Sequence, residues 1–557
     1  MGRCDTNSVW EAFEVIRTAW LRSTLAALIA LCGAVLIVSG ISWAAPSPLP
    51  LDLGQIPPLF CRFGYAPGVT SISSYVPSVY DLRAGWYLSF GTAVHPPRPD
   101  GMETVQTVFV KQLKQSQDQS FVLYDATAPY AIPYTYTVRP DMATIKAAVL
   151  ANPGSTWLIG NEIERRDFLY SDGVTSGGQQ EILPEVYAWA YHDLYALIKS
   201  VDSTAQVGIG GMIQATPLRL KYLDRVWNEY LRRYNAPLPA DVWNIHAYTL
   251  QEVKGSWGAD IPAGLTETTG LVFPDNNLAV LADKDFGLAS QHIRALRQWM
   301  HEHGQQNKPL IVSEAGVHMP EWIGATINGK VVYPFMPEDI RDSYMYPMFN
   351  FAQNVTDTVL GYPADGHRLT QRWIWYSLDG DYGWWDKGVF YQSFGSNLYY
   401  SGKNGGKVMG ITPLGAYWRA YVNNPISMPV TVDLRPVQVW TDPPAAVWDG
   451  QPVTVTVYVQ VANSGSVMST SPFSVTIQSL DDNSMVGRPS IKSLGGCGQM
   501  TVVTATWTNL GMRAHRLSVM VDSGNVIAET DRTNNYMEGK VLVASQRMFL
   551  PVVTRNG

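Results

Sequence analysis

A chain of 557 residues is too long for one compact domain, so we expect two or three domains. Hydrophobic residues make up 46% of the chain and charged residues only 16%, which excludes a disordered protein. The formal net charge of -7 gives no electrostatic reason to expect nucleic acid as a partner.

The N-terminal segment has the pattern of an export signal. Arg17 and Arg22 precede an apolar run at residues 25–41, and small residues end at Ala44 with the spacing that signal peptidase requires. We predict a signal peptide at residues 1–44, cleaved after Ala44, and therefore a secreted or cell-surface protein. The alternative is an uncleaved signal anchor that holds the protein at the membrane, because the apolar run is nearly long enough to span a bilayer.

Two of the four cysteines, Cys4 and Cys32, lie in the export segment, which leaves Cys61 and Cys497 for the mature chain. These two belong to different predicted domains. The sequence favours two unpaired thiols, and a disulfide between them in an oxidising compartment is the alternative. No cluster of Cys and His has the spacing of a zinc site, so we expect no metal and no cofactor.

Candidate strands come first in the barrel region, and a clear alternation of helix and strand signals follows from about residue 140. The stretch 82–90 is predicted as the first barrel strand, whereas 105–110 and 121–124 both look like strands and leave the second and third barrel strands unassigned. Helices with proline in the first turn or apolar residues at helical spacing then alternate with apolar strands. The predicted helices are 140–150, 184–199, 217–234 and 285–303, and the predicted strands are 157–159, 207–210, 242–246, 310–313 and 372–377.

This alternation predicts an α/β fold with a parallel sheet and right-handed crossovers. The number of units favours a closed (β/α)8 TIM barrel over an open Rossmann sheet, and the sequence has no Gly-rich dinucleotide fingerprint.

Beyond residue 430 the pattern changes. Valines at every second position from Val453 to Val461 are typical of a half-buried antiparallel strand, and we predict an all-β, Ig-like sandwich. In full, the sequence predicts a signal peptide or anchor at 1–44, a linker at 45–59, the barrel at 60–424, a linker at 425–430, the sandwich at 431–545 and a C-terminal tail at 546–557.

Two glutamates stand at the ends of predicted barrel strands. Glu162 comes shortly after the apolar run 157–159, and Glu314 directly follows the run 310–313. Catalytic groups are mounted at the carboxyl ends of barrel strands. Glycoside hydrolysis uses two carboxyl groups, one to protonate the leaving oxygen and one to attack, or assist attack, at the sugar carbon. A single glutamate at a strand end is more often a solvated loop residue, so it is the pair that indicates catalysis.

Residues from about 80 to 422 resemble a clan A glycoside hydrolase, among the small endo-β-glucanase and cellulase-like barrels. The resemblance rests on the motifs Gly160-Asn161-Glu162, Val242-Trp243-Asn244-Ile245-His246-Ala247-Tyr248, Leu310-Ile311-Val312-Ser313-Glu314 and Arg372-Trp373-Ile374-Trp375-Tyr376. It implies Glu162 as acid/base, Glu314 as nucleophile, Asn161 on a sugar hydroxyl, His246 and Tyr248 as supporting residues, and Trp375 as a stacking platform. Residues 431–545 resemble the CARDB type of bacterial cell-surface β-sandwich.

The chemistry of such a pair sets geometric expectations. A retaining mechanism places the two carboxyl groups about 5–5.5 Å apart. Burial and the like charge of Glu314 are expected to raise the pKa of Glu162, which must hold a proton near neutral pH. Tyr248 can donate a hydrogen bond to Glu314 and hold its rotamer. For His246, a core imidazole with all its hydrogen bonds made is the alternative.

Trp86 and Trp375 stand near predicted strand ends, where an aromatic ring can stack on a sugar, although a core position is the alternative for each. The sequence thus predicts a secreted retaining glycoside hydrolase that acts on a β-linked polysaccharide or oligosaccharide. The alternative is a non-catalytic carbohydrate-binding or adhesive cell-surface protein, because a fold alone does not prove activity.

Overall fold

The computed structural model describes residues 59–545, apart from 69–70, 77, 100–101, 117–119, 168–179, 381–383, 387–388, 392–393, 402–407 and 425–429. The predicted export segment, the first linker up to residue 58, most of the second linker and the C-terminal tail lie outside the described residues. The described chain forms a mixed α/β part followed by a C-terminal β part.

Eight parallel strands form a nearly closed barrel. They are β1 (Phe63–Tyr65), β2 (Trp86–Ser89), β3 (Glu103–Gln112), β4 (Thr156–Asn161), β5 (Gln206–Gly211), β6 (Trp243–Ala247), β7 (Leu310–Ala315) and β8 (Arg372–Trp375). They pair in the order β5-β4-β3-β2-β1-β8-β7-β6, and isolated parallel bridges from Gly208 to Val242 and from Met212 to Ile245 connect β5 with β6. The strands are buried on both faces, as expected for a parallel sheet covered by helices.

The helices between the strands begin at recognisable signals. Asp141, Thr216 and Asp285 each accept a hydrogen bond from the backbone of the first turn of their helix. The α-helices of this part are α1 (Met142–Ala151), α2 (Pro184–Val201), α3 (Pro217–Tyr234), α4 (Asn276–Ala282), α5 (Phe286–Glu302), α6 (Pro337–Ile340), α7 (Tyr346–Asn354) and α8 (Pro413–Val422). A π-helical turn, Arg341–Met345, joins α6 to α7.

The early strands correct the sequence-based expectation. The stretch 82–90 contains the second barrel strand, because β1 is the earlier segment Phe63–Tyr65, which pairs with both β2 and β8. Three residues are too few to show a periodic pattern, so this strand escapes sequence reading. The candidate at 105–110 belongs to β3, whereas Phe121–Val122 pairs with Lys114–Gln115 in a short hairpin. The later predicted helices and strands are confirmed, with bounds that differ by a residue or two.

The interior of the barrel holds a compact apolar cluster with an ion pair beside it. The guanidinium of Arg372 lies 2.8 Å from Oε2 of Glu103 and 4.3 Å from the ring centroid of Trp86, and all three side chains are buried. Each of these residues is the first of its strand, so the pair lies at the amino-terminal end of the barrel. The cluster comprises Ala66, Trp86, Leu88, Val105, Leu158, Val242, Ile311 and Ile374, with Tyr376 packed against it.

The C-terminal part is a two-sheet β domain with its own apolar core. Its strands are β9 (Leu434–Asp442), β10 (Ala445–Val447), β11 (Val453–Asn463), β12 (Phe473–Ser479), β13 (Met485–Gly487), β14 (Ser490–Ile491), β15 (Gln499–Leu510), β16 (Ala514–Val521) and β17 (Tyr536–Ala544). One sheet has the order β9-β11-β15 and the other β10-β17-β16-β12-β13, with β14 paired to β12. Of the alternating valines of β11, Val455, Val457, Val459 and Val461 are buried and Val453 is partly buried, as the period of two predicts.

A disulfide joins the two parts of the chain. Cys61, next to β1, is bonded to Cys497 of the sandwich, with a distance of 5.4 Å between their Cα atoms. The expectation of two unpaired thiols is therefore wrong. The cysteines are 436 residues apart in sequence, and only the packing of the sandwich against the barrel brings them together.

Candidate active site

The first glutamate is presented by a sharp turn at the end of β4. Gly160 has a φ of 92° and Glu162 a φ of 46°, so the backbone is left-handed on both sides of Asn161. A Cβ at Gly160 would approach Cγ2 of Ile163 to 2.5 Å, which explains the glycine. The amide of Glu162 donates to the carbonyl of Gly211 at 2.8 Å, which fixes the turn against β5.

The second glutamate lies within β7. The register between β7 and β6 shifts between Val312 and Glu314, and after this irregularity Glu314 pairs with His246. A strand irregularity of this kind re-aims the side chains that follow it. It places the carboxylate of Glu314 and the imidazole of His246 next to each other at the carboxyl ends of their strands.

The two carboxylates face each other across His246. Glu162, His246 and Glu314 each present one atom to a common centre, and these atoms lie within 4.8 Å of one another. Nδ1 of His246 is 3.6 Å from Oε1 of Glu162 and 3.5 Å from Oε2 of Glu314. Glu162 is 8% exposed, Glu314 6% and His246 0%, so the group is almost fully withdrawn from water.

Each carboxylate has a partner of its own. Arg165 places Nη1 2.8 Å from Oε2 of Glu162 and donates from Nη2 to the carbonyl of Gly258. The hydroxyl of Tyr248 donates to Oε2 of Glu314 at 3.1 Å, as the sequence predicted. The surroundings of the two carboxylates therefore differ: a full positive charge stands beside Glu162, and a neutral donor beside Glu314.

This difference separates the pKa values of the two carboxyl groups. Burial alone would raise the pKa of Glu162, but Arg165, and after it His246, outweigh burial and hold the pKa well below its ordinary value. Burial raises the pKa of Glu314, against the opposing effect of His246. The expectation that the pKa of Glu162 is raised is thus wrong for the free protein, because the sequence reading did not include Arg165.

The two tryptophans predicted as platforms are core residues. Trp375 is fully buried and its Nε1 donates to the carbonyl of Ser396 at 2.7 Å. Strand residues alternate between faces, so Trp375 points outward while Ile374 and Tyr376 point into the barrel. Trp86 points inward but stands at the first position of β2, at the far end of the barrel, and donates to the carbonyl of Arg62.

Sequence reasoning missed an arc of aromatic rings that begins beside Glu314. Ring centroids are separated by 4.2 Å from Tyr248 to His318, 5.3 Å from His318 to Phe394, 5.4 Å from Phe394 to Tyr376 and 5.8 Å from Tyr376 to Phe90. The rings follow β6, β7, β8 and β2, and the last of them, Phe90, is 38% exposed. An aromatic one residue beyond a strand end was the available signal, since Tyr376 and Phe90 both occupy that position.

Asn161 ends β4, half-buried beside Glu162, and its backbone amide donates to Oε1 of Gln180 at 3.1 Å. Of the predicted site residues, the structure brings Asn161, Glu162, His246, Tyr248 and Glu314 to the carboxyl-terminal end of the barrel. Trp86 lies at the other end, and Trp375 lies at the same end but points outward. Among the described residues, no helix has the length and apolar content needed to cross a membrane.

Comparisons with known proteins identify the C-terminal part. Residues 431–539 match the CARDB family model, so the chain carries a CARDB domain there. The comparison with curated proteins found no match. A solved CARDB domain from Pyrococcus furiosus is 22% identical, with a TM-score of 0.18, and the match covers 20% of this chain and 90% of that one.

The chain also has distant likenesses among solved glycoside hydrolases. A family 128 endo-β-1,3-glucanase from Sorangium cellulosum is 13% identical, with a TM-score of 0.33 and coverage of 65% of this chain and 98% of that one. A β-glucuronidase from Bacteroides uniformis is 12% identical, with a TM-score of 0.33 and coverage of 87% and 46%. At these TM-scores the likenesses do not establish a shared activity.

Proposed function

We propose that this chain is a secreted retaining glycoside hydrolase that acts on a β-linked polysaccharide or oligosaccharide, on a (β/α)8 TIM barrel. The observation that carries the proposal is the buried pair Glu162 and Glu314 at the carboxyl ends of β4 and β7, with facing atoms within 4.8 Å. Retaining enzymes hold their carboxyl groups about 5–5.5 Å apart, whereas inverting enzymes leave about 6.5–9.5 Å for a water molecule. The short separation favours retention.

Glu314 is proposed as the nucleophile and Glu162 as the acid/base. The hydrogen bond from Tyr248 holds Glu314 in one rotamer and stabilises its negative charge, which a nucleophile needs. In the free protein Arg165 keeps Glu162 ionised, so this assignment requires substrate to displace the guanidinium before Glu162 can carry a proton. The side chain of Arg165 is 19% exposed and that of Glu162 10%, so Arg165 is the more accessible member of the pair.

The pKa directions of the free protein favour the reverse assignment, with Glu162 as nucleophile and Glu314 as acid. We prefer the first assignment because the Arg165 contact is one charge-assisted hydrogen bond from a partly exposed side chain, which substrate can replace. The Tyr248 contact is fully buried within the wall of the site.

The sugar platform is proposed at Tyr376 and Phe90 instead of Trp375 and Trp86. Tyr376 caps the interior cluster of the barrel and leads through the aromatic arc to the exposed Phe90. Aromatic faces stack on the apolar faces of sugar rings. A bound oligosaccharide would therefore extend along the arc, away from Glu314. Asn161, at the end of β4, is proposed to bond a sugar hydroxyl.

An extracytoplasmic location is proposed on two grounds. The Cys61–Cys497 disulfide is of a kind that persists in oxidising compartments. The N-terminal residues have the pattern of an export signal or of an anchor that would hold the protein at the membrane. Carbohydrate is the proposed partner of the barrel.

The test is a reducing-sugar screen of residues 45–557 on β-glucans, mannans and xylans, with the Glu314→Gln variant as a matched control. We expect release of reducing ends by the unaltered protein only, and NMR of the first product should show retention of the anomeric configuration. Tight polysaccharide binding without release by either protein would favour the alternative of a non-catalytic adhesive protein. An inverted product would reject the retaining mechanism.

A further inference from the structure

We propose that Glu162, His246 and Glu314 form a reversible binding site for a divalent transition-metal ion such as Zn²⁺, and that the bound ion blocks hydrolysis. The binding site itself stands on the geometry of three side chains. The inhibitory consequence rests on the proposed hydrolase function, and binding and inhibition can be measured separately.

The distances fit a small ion. Tetrahedral zinc with nitrogen and oxygen ligands at 2.0–2.2 Å holds its ligand atoms about 3.4 Å apart. Nδ1 of His246 already lies 3.6 Å from Oε1 of Glu162 and 3.5 Å from Oε2 of Glu314. The carboxylate atoms lie within 4.8 Å of each other, and a small rotation of either side chain would complete the set.

The imidazole of His246 has the burial and the unpartnered nitrogen atoms expected of a metal ligand. Both ring nitrogens of His246 are buried without a hydrogen-bond partner, and the residue is 0% exposed. Buried polar atoms are normally satisfied, so an unpartnered imidazole aimed between two carboxylates is unusual and requires an explanation. Imidazole and carboxylate together are a donor set that suits zinc and its first-row neighbours, whereas Mg²⁺ prefers oxygen ligands and water.

The neighbouring residues leave the required atoms available. Arg165 binds Oε2 of Glu162, so Oε1 remains free and faces His246. Tyr248 donates to Oε2 of Glu314 and would orient that oxygen as an outer-shell donor does at known metal sites. Three protein ligands leave a fourth position open to water or to a sugar hydroxyl.

An ion at this centre would engage both carboxylates at once. Glu314 could then not attack the sugar carbon, and Glu162 could not protonate the leaving oxygen. Metal and productive substrate would therefore exclude each other. Inhibition by Zn²⁺ should be reversed by a chelator.

The experiment is calorimetric titration of untagged residues 45–557 with Zn²⁺, and with Mg²⁺ for comparison. We expect one Zn²⁺ site and no comparable heat with Mg²⁺. His246→Ala and Glu314→Gln should each weaken Zn²⁺ binding about tenfold or more, because the loss of an outer-shell partner alone typically costs about 10–100-fold in metal affinity. His95→Ala removes an exposed imidazole elsewhere and should leave binding unchanged. Equal binding by the unaltered protein and by His246→Ala would overturn the proposal.

Two further measurements keep the result unambiguous. Circular dichroism checks that His246→Ala is folded, and if it is not, the isosteric Glu314→Gln decides alone. Co²⁺ bound to the unaltered protein should give the visible absorption of a nitrogen- and oxygen-ligated site, and this absorption should be lost in Glu314→Gln.

Zinc binding to a protein that releases no sugar from any substrate would support the metal site and reject the hydrolase. If saturating Zn²⁺ leaves the rate of hydrolysis unchanged, the proposal that the bound ion inhibits the enzyme is wrong.

Discussion

The guanidinium of Arg165 lies 2.8 Å from the carboxylate of Glu162, three residues earlier in the chain. This contact holds the pKa of Glu162 below its ordinary value in the free protein. A group proposed to donate a proton is thus held in its ionised form until something displaces its partner. Under the proposed function, the protonation state of Glu162 would therefore depend on whether substrate has displaced Arg165.

Substitution of Arg165 by Gln should extend activity to higher pH. Loss of the positive charge destabilises the ionised carboxylate, so the pKa of Glu162 should rise by about 1–3 units. A higher pKa keeps the acid protonated further into the alkaline range, and the basic limb of kcat/KM should move upward by a similar amount. Arg225→Gln, which removes a surface partner of Glu185, is the matched control. A basic limb that stays in place would contradict the role given to Arg165.

The two carboxylates should differ in their response to an activated substrate. Glu314→Gln should abolish turnover of every substrate, because no other group attacks the sugar carbon. Glu162→Gln should lose far less on an aryl glycoside whose leaving group needs no proton, and azide should rescue it. Initial rates with and without azide measure both effects. The opposite pattern, with rescue of Glu314→Gln only, would show that the roles are reversed.

Removal of the Tyr248 hydroxyl should reduce catalysis more than stability. Phenylalanine keeps the ring packed against His318 but loses the donor to Glu314, and the loss of a hydrogen bond to a charged group corresponds to about a ten- to hundredfold fall in kcat/KM. Tyr222→Phe loses a buried hydrogen bond to the carbonyl of Ile182 and should change the melting temperature without a comparable loss of rate. Equal rates for the two variants would argue against a positioning role for Tyr248.

Removal of one partner from the buried Arg372–Glu103 ion pair should strongly destabilise the folded protein. Arg372→Met leaves the carboxylate of Glu103 buried without its partner and should lower the free energy of unfolding by about 3–5 kcal/mol. Replacing both members, in Glu103→Leu with Arg372→Met, removes the buried charge altogether and should recover much of that loss. Urea unfolding followed by tryptophan fluorescence gives both values. A double variant no more stable than Arg372→Met would contradict this account.

The Cys61–Cys497 bond should stabilise the association of the two parts of the chain. Serine at both positions should lower stability by about 2–4 kcal/mol, because the bond restricts the unfolded chain. Thermal unfolding of the oxidised protein, of the reduced protein and of the double variant measures the effect. Peptide mapping without reductant should recover the two cysteines in one linked fragment, and alkylation of both in the untreated protein would disprove the bond.

Much of the barrel can be read from the chain because its later strands are short, mainly apolar runs that alternate with helical patterns. The position of Glu314 directly after such a run was enough to place it at the barrel rim. The first strand, Phe63–Tyr65, could not be found in this way, because three residues give no periodicity. The hydrogen bond from Tyr248 to Glu314 is present as predicted.

The sequence by itself determined the order of the barrel units after β3, the two glutamates at strand ends and the change to a β-sandwich beyond residue 430. These features depend on local apolar periodicity and on the residues that end each element. Only the tertiary structure decided that Trp375 faces away from the barrel interior, that Cys61 meets Cys497, and that Arg165 pairs with Glu162. Those outcomes depend on which face of a strand the barrel buries and on which groups folding brings within a few ångströms, and local pattern contains neither.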